Sequence, residues 1–458
     1  MKVRQFVTNG AQLSSHGERE LRTVAIDIIE HALQAADPYR ALCRRIGCEG
    51  GQLHVDGRSI PLPEHGRVIF VGAGKASYPI AKAIEELLGE RLSEGLVICK
   101  YGQEGTLERI RLIHAAHPIP DDAGANATRV IIGLLQRTGP GDLVIAGITG
   151  GSSALMGLPC EPISLADYGT LTNQLLGCGA NIIEINAVRK HVSMVGGGKL
   201  AELIHPDAML INITVSDVIG DPLDYITDPT VPDTSTLTDA RATLDRYELW
   251  ASIPKSVSAF LRPGGQARET PKTFSRRNFS DVLLLSASAA CEEAARRGGE
   301  LGLQSLILST RFEGESQELG NVFAAIAAEI GRTERPVRAP ALLIGGGETI
   351  VRLNGGTVGS GGPNQEFAAA AAVALDGVRN TLVAGLDSDG TDGPTGVAGA
   401  MIDGGTMARA RALGIDLRRQ LRQHDVTSAL EQMDDAIVTG ATGTNVNDLK
   451  FAIVMNSR

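Results

Sequence analysis

The sequence predicts an α/β protein of two domains, each a mainly parallel sheet sandwiched by helices, and three observations carry that prediction. The chain has 458 residues, more than the roughly 250–300 that one core organises before a chain divides. Short apolar runs recur along it with helical patterns between them, as in parallel strands joined by crossover helices. Its 55 glycines cluster where the apolar runs end, the edge at which open α/β sheets bind ligands.

From Glu18 to Ala36, Leu21, Ala25, Ile28, Ile29, Ala32 and Leu33 return at helical spacing and Asp37-Pro38 ends the pattern, so the chain opens with an amphipathic helix. A βαβ unit follows: Val68–Val71 is a strand, a glycine turn leads into a helical pattern, and residues 95–100 form the next strand. Further strands begin at Leu143, Met209, Val282, Ser305, Ala341, Thr381 and Ala436. Between Tyr225 and Ser280 the rhythm breaks into a proline- and threonine-rich stretch with a helical piece around Asp239–Leu249. The domain junction is therefore expected near 260–275, giving domains 1–265 and 275–458 that share one ligand cleft.

The net charge of −10 provides no basic field, which argues against nucleic acid or an anionic membrane as partner and requires any anionic ligand to be gripped locally. Cys43, Cys48, Cys99, Cys160, Cys178 and Cys291 show no CxxC pairing and read as reduced structural residues. The N-terminus lacks the apolar stretch of a signal peptide, and no run is long enough to span a bilayer, so a cytoplasmic protein is expected.

The loop V-G-A-G-K-A-S at 71–77 is not a P-loop: Ile69 stands where the first glycine belongs, and Ala76 follows the lysine in place of a hydroxyl. Nor does it fit a dinucleotide fingerprint, with Ser77 at the third glycine and Lys100 where the next strand should end in an acid. Gly72 and Gly74 at a helix start, with Lys75 beside them, suit an anion site or close strand–helix packing. Gly150 and Gly151 with Ser152 and Ser153 repeat the design with hydroxyls, which suit phosphate oxygens or a helix cap. Asn186, Arg189 and Lys190 fall within one helical turn, and Lys199 follows in a glycine run; the planar fork of Arg189 matches a carboxylate or phosphate. His191 acquires no role. Asp217, at the end of an apolar strand, is suited to accept a hydroxyl proton, hold a metal or cap a helix.

In the C-terminal half, Glu348 follows a strand in G-G-G-E, and the loop 356–366, which contains Asn364, opens into a helix. Asp387, Asp389 and Asp392 alternate among glycines, a pattern compatible with a Mg2+ or Ca2+ site or with tight turns alone. The stretch 439–448 reads as a hydroxyl-rich nucleotide lid or a hairpin turn.

Taken together, V-G-A-G-K-A, H-P-I-P-D at 117–121, G-G-S-S-A-L, N-A-V-R-K-H-V-S, S-D-V-I-G-D-P, G-G-G-E-T, G-G-P-N-Q-E and D-G-T-D-G-P-T occur in an order that resembles the class II glycerate 2-kinases, relatives of proteins labelled hydroxypyruvate reductases. The resemblance covers essentially the whole chain, as a Rossmann-like glycerate kinase domain followed by a MOFRL domain. It implies ATP-dependent phosphorylation of D-glycerate at its 2-hydroxyl with Mg2+, small-molecule and nucleotide partners, and compatibility with a homodimer. It would make Lys75 a ligand of phosphoryl oxygens and Asp217 a base or metal-linked carboxylate. Arg189 and the Ser152/Ser153 loop would join the anion-binding wall. Three departures from the family pattern bear on substrate identity: Pro363 where the family commonly carries arginine, the less basic V-G-G-G-K loop, and Gly396 in place of an aspartate.

Overall fold

The computed structural model describes residues 5–226, 228–274, 278–353 and 359–456. By packing, the chain divides into two compact units, Pro38–Leu284 and Met1–Asp37 with Leu285–Arg458. Two features separate this division from the expected boundaries. The strand Phe279–Leu285 joins the N-terminal sheet, so that unit continues beyond the proline-rich stretch. The opening helix, Arg19–Ala35, belongs to the C-terminal unit.

In the Pro38–Leu284 unit, six strands lie in the order 110–115, 94–100, 68–73, 143–148, 209–215 and 279–285, and the first five pair in parallel. Strands covered on both faces need apolar side chains at every position, and Val68–Ala73 and Leu143–Ile148 are buried throughout. Ile69, Val71, Leu96, Ile98, Val144 and Leu210 form the centre of that core. A second apolar cluster, containing Tyr168, Leu171, Val188, Leu244 and Phe260, packs the helix Ile182–Val192 among Leu165–Gly177, Leu237–Arg246 and Lys255–Leu261. The helical piece expected at Asp239–Leu249 is the helix Leu237–Arg246, with Thr236 and Asp239 closing its start in a capping box. An antiparallel meander, Ile46–Glu49, Gln52–Val55 and Arg58–Pro61, lies outside the large sheet. Its four-residue strands are too short to show an alternation in the sequence.

In the other unit the strand order is 304–312, 341–347, 448–454, 381–387, 399–403 and 436–437. Gln304–Phe312 pairs in parallel with Ala341–Gly347, while Asp448–Val454 is inserted antiparallel between Ala341–Gly347 and Thr381–Asp387. With Gly399–Asp403, it runs against the other four strands. The helix Pro363–Ala374 is buried from Asn364 to Ala372, and Phe367 meets Phe323 edge-on with ring centroids 5.2 Å apart. Pro363 occupies the first turn of this helix, where its fixed φ and missing N–H cost nothing.

The opening helix is held to this unit by more than its apolar stripe. Arg22 is fully buried, with its Nε 2.7 Å from Asp403 Oδ2 and its Nη2 2.7 Å from Asp435 Oδ1. Arg409 bonds the same two carboxylates, so two cations and two anions balance one another in the interior.

Candidate active site

The site builds up from three neighbouring parallel strands whose carboxyl ends carry the loops 74–77, 149–153 and 216–221. Gly74 has φ +138°, and a Cβ there would lie 2.1 Å from Thr149 Oγ1, so a glycine is what lets the first loop press onto the second. Lys75 N–H donates to Gly150 O at 2.9 Å, and Ala76 N–H donates to Thr149 Oγ1 at 3.1 Å. From the third strand, Asp217 reaches the same place: a Cβ on Gly150 would sit 1.8 Å from its Oδ2. A Cβ on Gly151 would lie 3.2 Å from the His117 ring and 3.5 Å from Lys75 Cγ. Half-buried Lys75 and Asp217 and exposed His117 thus all lie against the Gly150–Gly151 loop.

This geometry changes how the first loop is read. Gly72 lies inside the strand Val68–Ala73, where a Cβ would meet the Phe70 ring at 2.9 Å and Gly147 O at 3.0 Å; it permits close packing and does not form the turn. The loop N–H groups expected to hold an anion already have protein acceptors: Gly74 donates to Ile98 O, Lys75 to Gly150 O and Ala76 to Thr149. Of the groups expected to hold an anion here, the Lys75 side chain is the one these backbone bonds leave to do so. Thr149, which organises both loops, was missed because a threonine at a strand end has no distinctive sequence signal. His117 lies in the H-P-I-P-D motif, which by itself assigns it no role.

Asn186, Arg189, Lys190 and Ser193 share one face of the helix Ile182–Val192 and its cap. That face lines a crevice with Ser153 and Met156, so the structure brings together the second loop and the basic helix. Arg189 is 8% exposed, and its Nε and Nη2 have no hydrogen-bond partner among the described residues. Buried Ser152 starts the short helical turn Ser152–Leu155.

Lys190 and Lys199, expected to bind phosphate, are engaged inside the protein. Lys190 Nζ lies 2.9 Å from Asp233, 3.6 Å from Asp224 and 4.0 Å from Asp228. Burial alone would lower its pKa, but Asp228 and Asp233 outweigh that and raise it. Lys199 donates to the carbonyls of Lys190 at 2.9 Å and Ser193 at 2.6 Å, satisfying the end of the helix, and its pKa is lowered by burial. His191 is packed, with Nδ1 2.7 Å from Ala187 O and Nε2 2.8 Å from Glu269 Oε1.

In the C-terminal unit, Asp387, Asp389 and Asp392 do not converge: among the described residues no group of three His, Cys, Asp or Glu side chains is placed to hold a metal ion. Asp392 accepts from Asn364 N and Nδ2 at 3.0 and 3.1 Å, and from Gln365 N and Nε2 at 2.9 and 3.0 Å. Four N–H donors fill the acceptor capacity of a carboxylate and leave no lone pair for a cation. Burial still pushes the Asp392 pKa up to about 6, against those donors. Asp387 accepts the Asp389 N–H at 2.8 Å, and Asp389 accepts the Thr391 N–H at 2.9 Å, so both shape the turn. Asn364 is buried and donates to Asp448 at 2.7 Å, while its own Oδ1 has no partner among the described residues. Glu348 is exposed at its strand end. Of the loop 356–366, residues 356–358 lie outside the described residues. The stretch 439–448 packs on the aspartate turn, with Thr442 Oγ1 donating to Ser388 O at 2.6 Å and Val446 N to Ser388 Oγ at 2.8 Å.

Comparison with known proteins decides the family. Residues 24–262 match the profile of a domain of unknown function (DUF4147), and residues 341–448 match the MOFRL family. The chain is 39% identical over 442 residues to a glycerate 2-kinase of Pyrococcus horikoshii, spanning 96% of this chain and 98% of that protein. The chain belongs to the glycerate 2-kinase family. A D-glycerate 2-kinase of Thermotoga maritima is 38% identical, covering 95% of this chain and 99% of that protein. A crystal structure of a glycerate kinase from the same organism superposes with a TM-score of 0.81 at 37% identity, covering 95% of this chain and all of that one. An Agrobacterium vitis protein with a provisional hydroxypyruvate reductase name is 41% identical, covering 85% of this chain and its own full length.

Proposed function

We propose that this protein is an ATP-dependent D-glycerate 2-kinase producing 2-phosphoglycerate. The observation that carries the reading is that Lys75 and Asp217 both approach the Gly150–Gly151 loop, from the carboxyl ends of the two parallel strands that flank Leu143–Ile148. Phosphoryl transfer asks a protein mainly for positioning and charge neutralisation. In this reading Asp217 accepts the proton of the substrate 2-hydroxyl as the hydroxyl oxygen bonds to the γ-phosphorus of ATP and the bond from that phosphorus to the bridging oxygen breaks, releasing ADP. Lys75 neutralises charge on the transferred group, and the Gly150–Ser153 loop, with its two hydroxyls, orients it. Mg2+, when bound with the nucleotide, would supply further neutralisation; it commonly takes one or two protein carboxylates together with phosphate oxygens, and Asp217 would be such a carboxylate in place of acting as the base. Arg189 contributes a second cation to the anion-binding wall. The protein acts on soluble small molecules in the cytoplasm. In support of that, its six cysteines are unbridged and no helix of the described residues is long and apolar enough to cross a membrane.

The test is ADP release from ATP, Mg2+ and D-glycerate, with phosphorus NMR identifying the phosphorylated carbon. Lys75→Ala and Asp217→Asn should each lower kcat by roughly a hundredfold or more. Silence across three- to six-carbon hydroxy acids would defeat the reading. Reduction of hydroxypyruvate is the weaker alternative: the strand Glu94–Lys100 ends in lysine, and buried Ser77 holds the third glycine position with its hydroxyl 3.3 Å from Thr149. Nicotinamide absorbance in the same preparation separates the two.

A further inference from the structure

The fold carries the H-P-I-P-D motif to the loop that the kinase reading uses. The strand Ile110–Ala115 stands at the edge of its sheet, and the strands 94–100 and 68–73 separate it from Leu143–Ile148. The chain leaving Ala115 nevertheless reaches past the ends of both, since a Cβ on Gly151 would lie 3.2 Å from Nε2 and Cδ2 of His117 and 3.5 Å from Lys75 Cγ. Gly151 has φ +88°, a conformation that favours a residue without a side chain. The imidazole and the lysine stem both close on the room this leaves.

Further close approaches seat the segment 116–124 against the chain that follows Gly151. A Cβ on Gly157 would lie 2.3 Å from Pro120 Cβ, one on Gly124 2.4 Å from Leu155 O, and one on Gly169 3.5 Å from Ile119. Asp121 fixes the far end of the segment: Oδ1 accepts the Gly124 N–H at 2.9 Å, capping the helix Asp122–Gln136, and Oδ2 accepts from the Tyr101 hydroxyl at 2.9 Å. Pro120 and Gly124 are buried, whereas His117 is exposed. The backbone is thus held in place while the imidazole is presented at the surface of the glycine loop, an arrangement that suits a ligand contact. A histidine used for packing is enclosed, as His191 is between Ala187 and Glu269.

A phosphoryl group in transfer spreads its charge over three equatorial oxygens, and a single lysine answers only part of it. Nε2 lies on the ring edge that faces Gly151, and an imidazole N–H is a hydrogen-bond donor. We propose that His117 is a further catalytic residue, donating from Nε2–H to an equatorial oxygen of the phosphoryl group while Lys75 neutralises its charge. The imidazole keeps its proton throughout: the acceptor oxygen bonds to phosphorus, the bond to the bridging oxygen breaks to release ADP, and the hydroxyl proton goes to Asp217. The proposal rests on the kinase reading above and deepens it.

His117→Phe keeps a ring and removes both nitrogens, while His117→Gln puts an amide nitrogen near the reach of Nε2. Because the side chain is exposed, both variants should melt within a few degrees of wild type. With D-glycerate, ATP and Mg2+ saturating, His117→Phe should lower kcat roughly 10- to 100-fold, the range of one hydrogen bond to a charged group. Both KM values should stay within about threefold, as for a contact made only in the transition state, and His117→Gln should recover kcat to within about fivefold of wild type. Affinity for ADP with Mg2+, aluminium fluoride and D-glycerate, which together imitate the group in transit, should fall in His117→Phe in parallel with kcat, and affinity for ADP alone should not. A kcat for His117→Phe within about threefold of wild type overturns the proposal and leaves the kinase reading standing. So do equal losses in the two variants with the aluminium fluoride complex still bound as tightly as by wild type, which would make His117 a support of the loop. Wild-type protein labelled with 15N-histidine gives an independent check: the imidazole resonance missing from His117→Gln should shift with the complete aluminium fluoride mixture, and the absence of that shift counts against the proposal. If wild-type protein forms no ADP from any hydroxy acid, the kinase reading itself fails and takes this proposal with it.

Discussion

Gly150 is where sequence and chemistry meet most tightly. A methyl group there would fall 1.8 Å from Asp217 Oδ2 and 2.4 Å from its Cγ. The obstructed group is the end of a half-buried side chain, which can swing aside without moving backbone. Gly150→Ala should therefore leave the melting temperature within a few degrees and, with Asp217 as the proposed base, lower kcat by roughly a hundredfold through its lost alignment. A thermal melt run beside the coupled assay checks this, and a large fall in melting temperature with activity retained would place the glycine in the scaffold. Gly74 is the contrasting case: a Cβ there meets Thr149 O at 2.6 Å and its carbonyl carbon at 2.8 Å, at positive φ. Gly74→Ala should lower stability by about 1–3 kcal/mol, measurable by urea unfolding. The sequence marked both residues as special because glycine beside a strand end is informative. It could not separate a glycine that makes room for a carboxylate from one that makes room for backbone.

Among the elements, the opening helix shows how an apolar pattern can be right and incomplete. Its stripe of Leu21, Ala25, Ile28, Ile29, Ala32 and Leu33 is buried as the spacing predicts, but Arg22 is buried beside it. Breaking a buried ion pair from one side leaves an unpaired charge, so Arg22→Met should cost about 3–5 kcal/mol, read from urea midpoints. The same network sets an acid limit. Burial alone would raise the Asp403 pKa, but Arg22 and Arg409 hold it down to about 2, below the unfolded value of about 3.9. The stabilisation is complete above that unfolded value and is lost as pH falls through the folded one. Between about pH 5 and 2 the unfolding midpoint should drop more steeply for wild-type protein than for Asp403→Asn; parallel slopes would show that another carboxylate controls acid unfolding. Charge at a buried position follows no periodicity. Arg22 was illegible in the sequence because its partners lie 381 and 413 residues away.

For the molecule as a whole, the division into units has a direct consequence. Since Arg19–Ala35 packs on Ala289–Glu300, with Arg297 Nε 2.7 Å from Asp27, a fragment of residues 38–284 should melt cooperatively alone. Residues 285–458 should do so only when 1–37 is supplied, as circular dichroism would show. Cooperative melting of 285–458 by itself would mean that the helix is dispensable. The sequence alone determined the α/β class, the glycine loops at strand ends and the family, because apolar periodicity and motif order are local properties of the chain. Tertiary structure decided which of the marked residues meet. It packed Lys75 and Asp217 against one glycine loop and buried Arg189 with Nε and Nη2 unpartnered among the described residues, while enclosing Lys190 among aspartates, turning Lys199 onto carbonyls and closing Asp392 onto a helix start. A lysine or aspartate carries the same charge in every sequence context, and only the groups folded around it determine whether that charge is answered inside the protein or kept for a ligand.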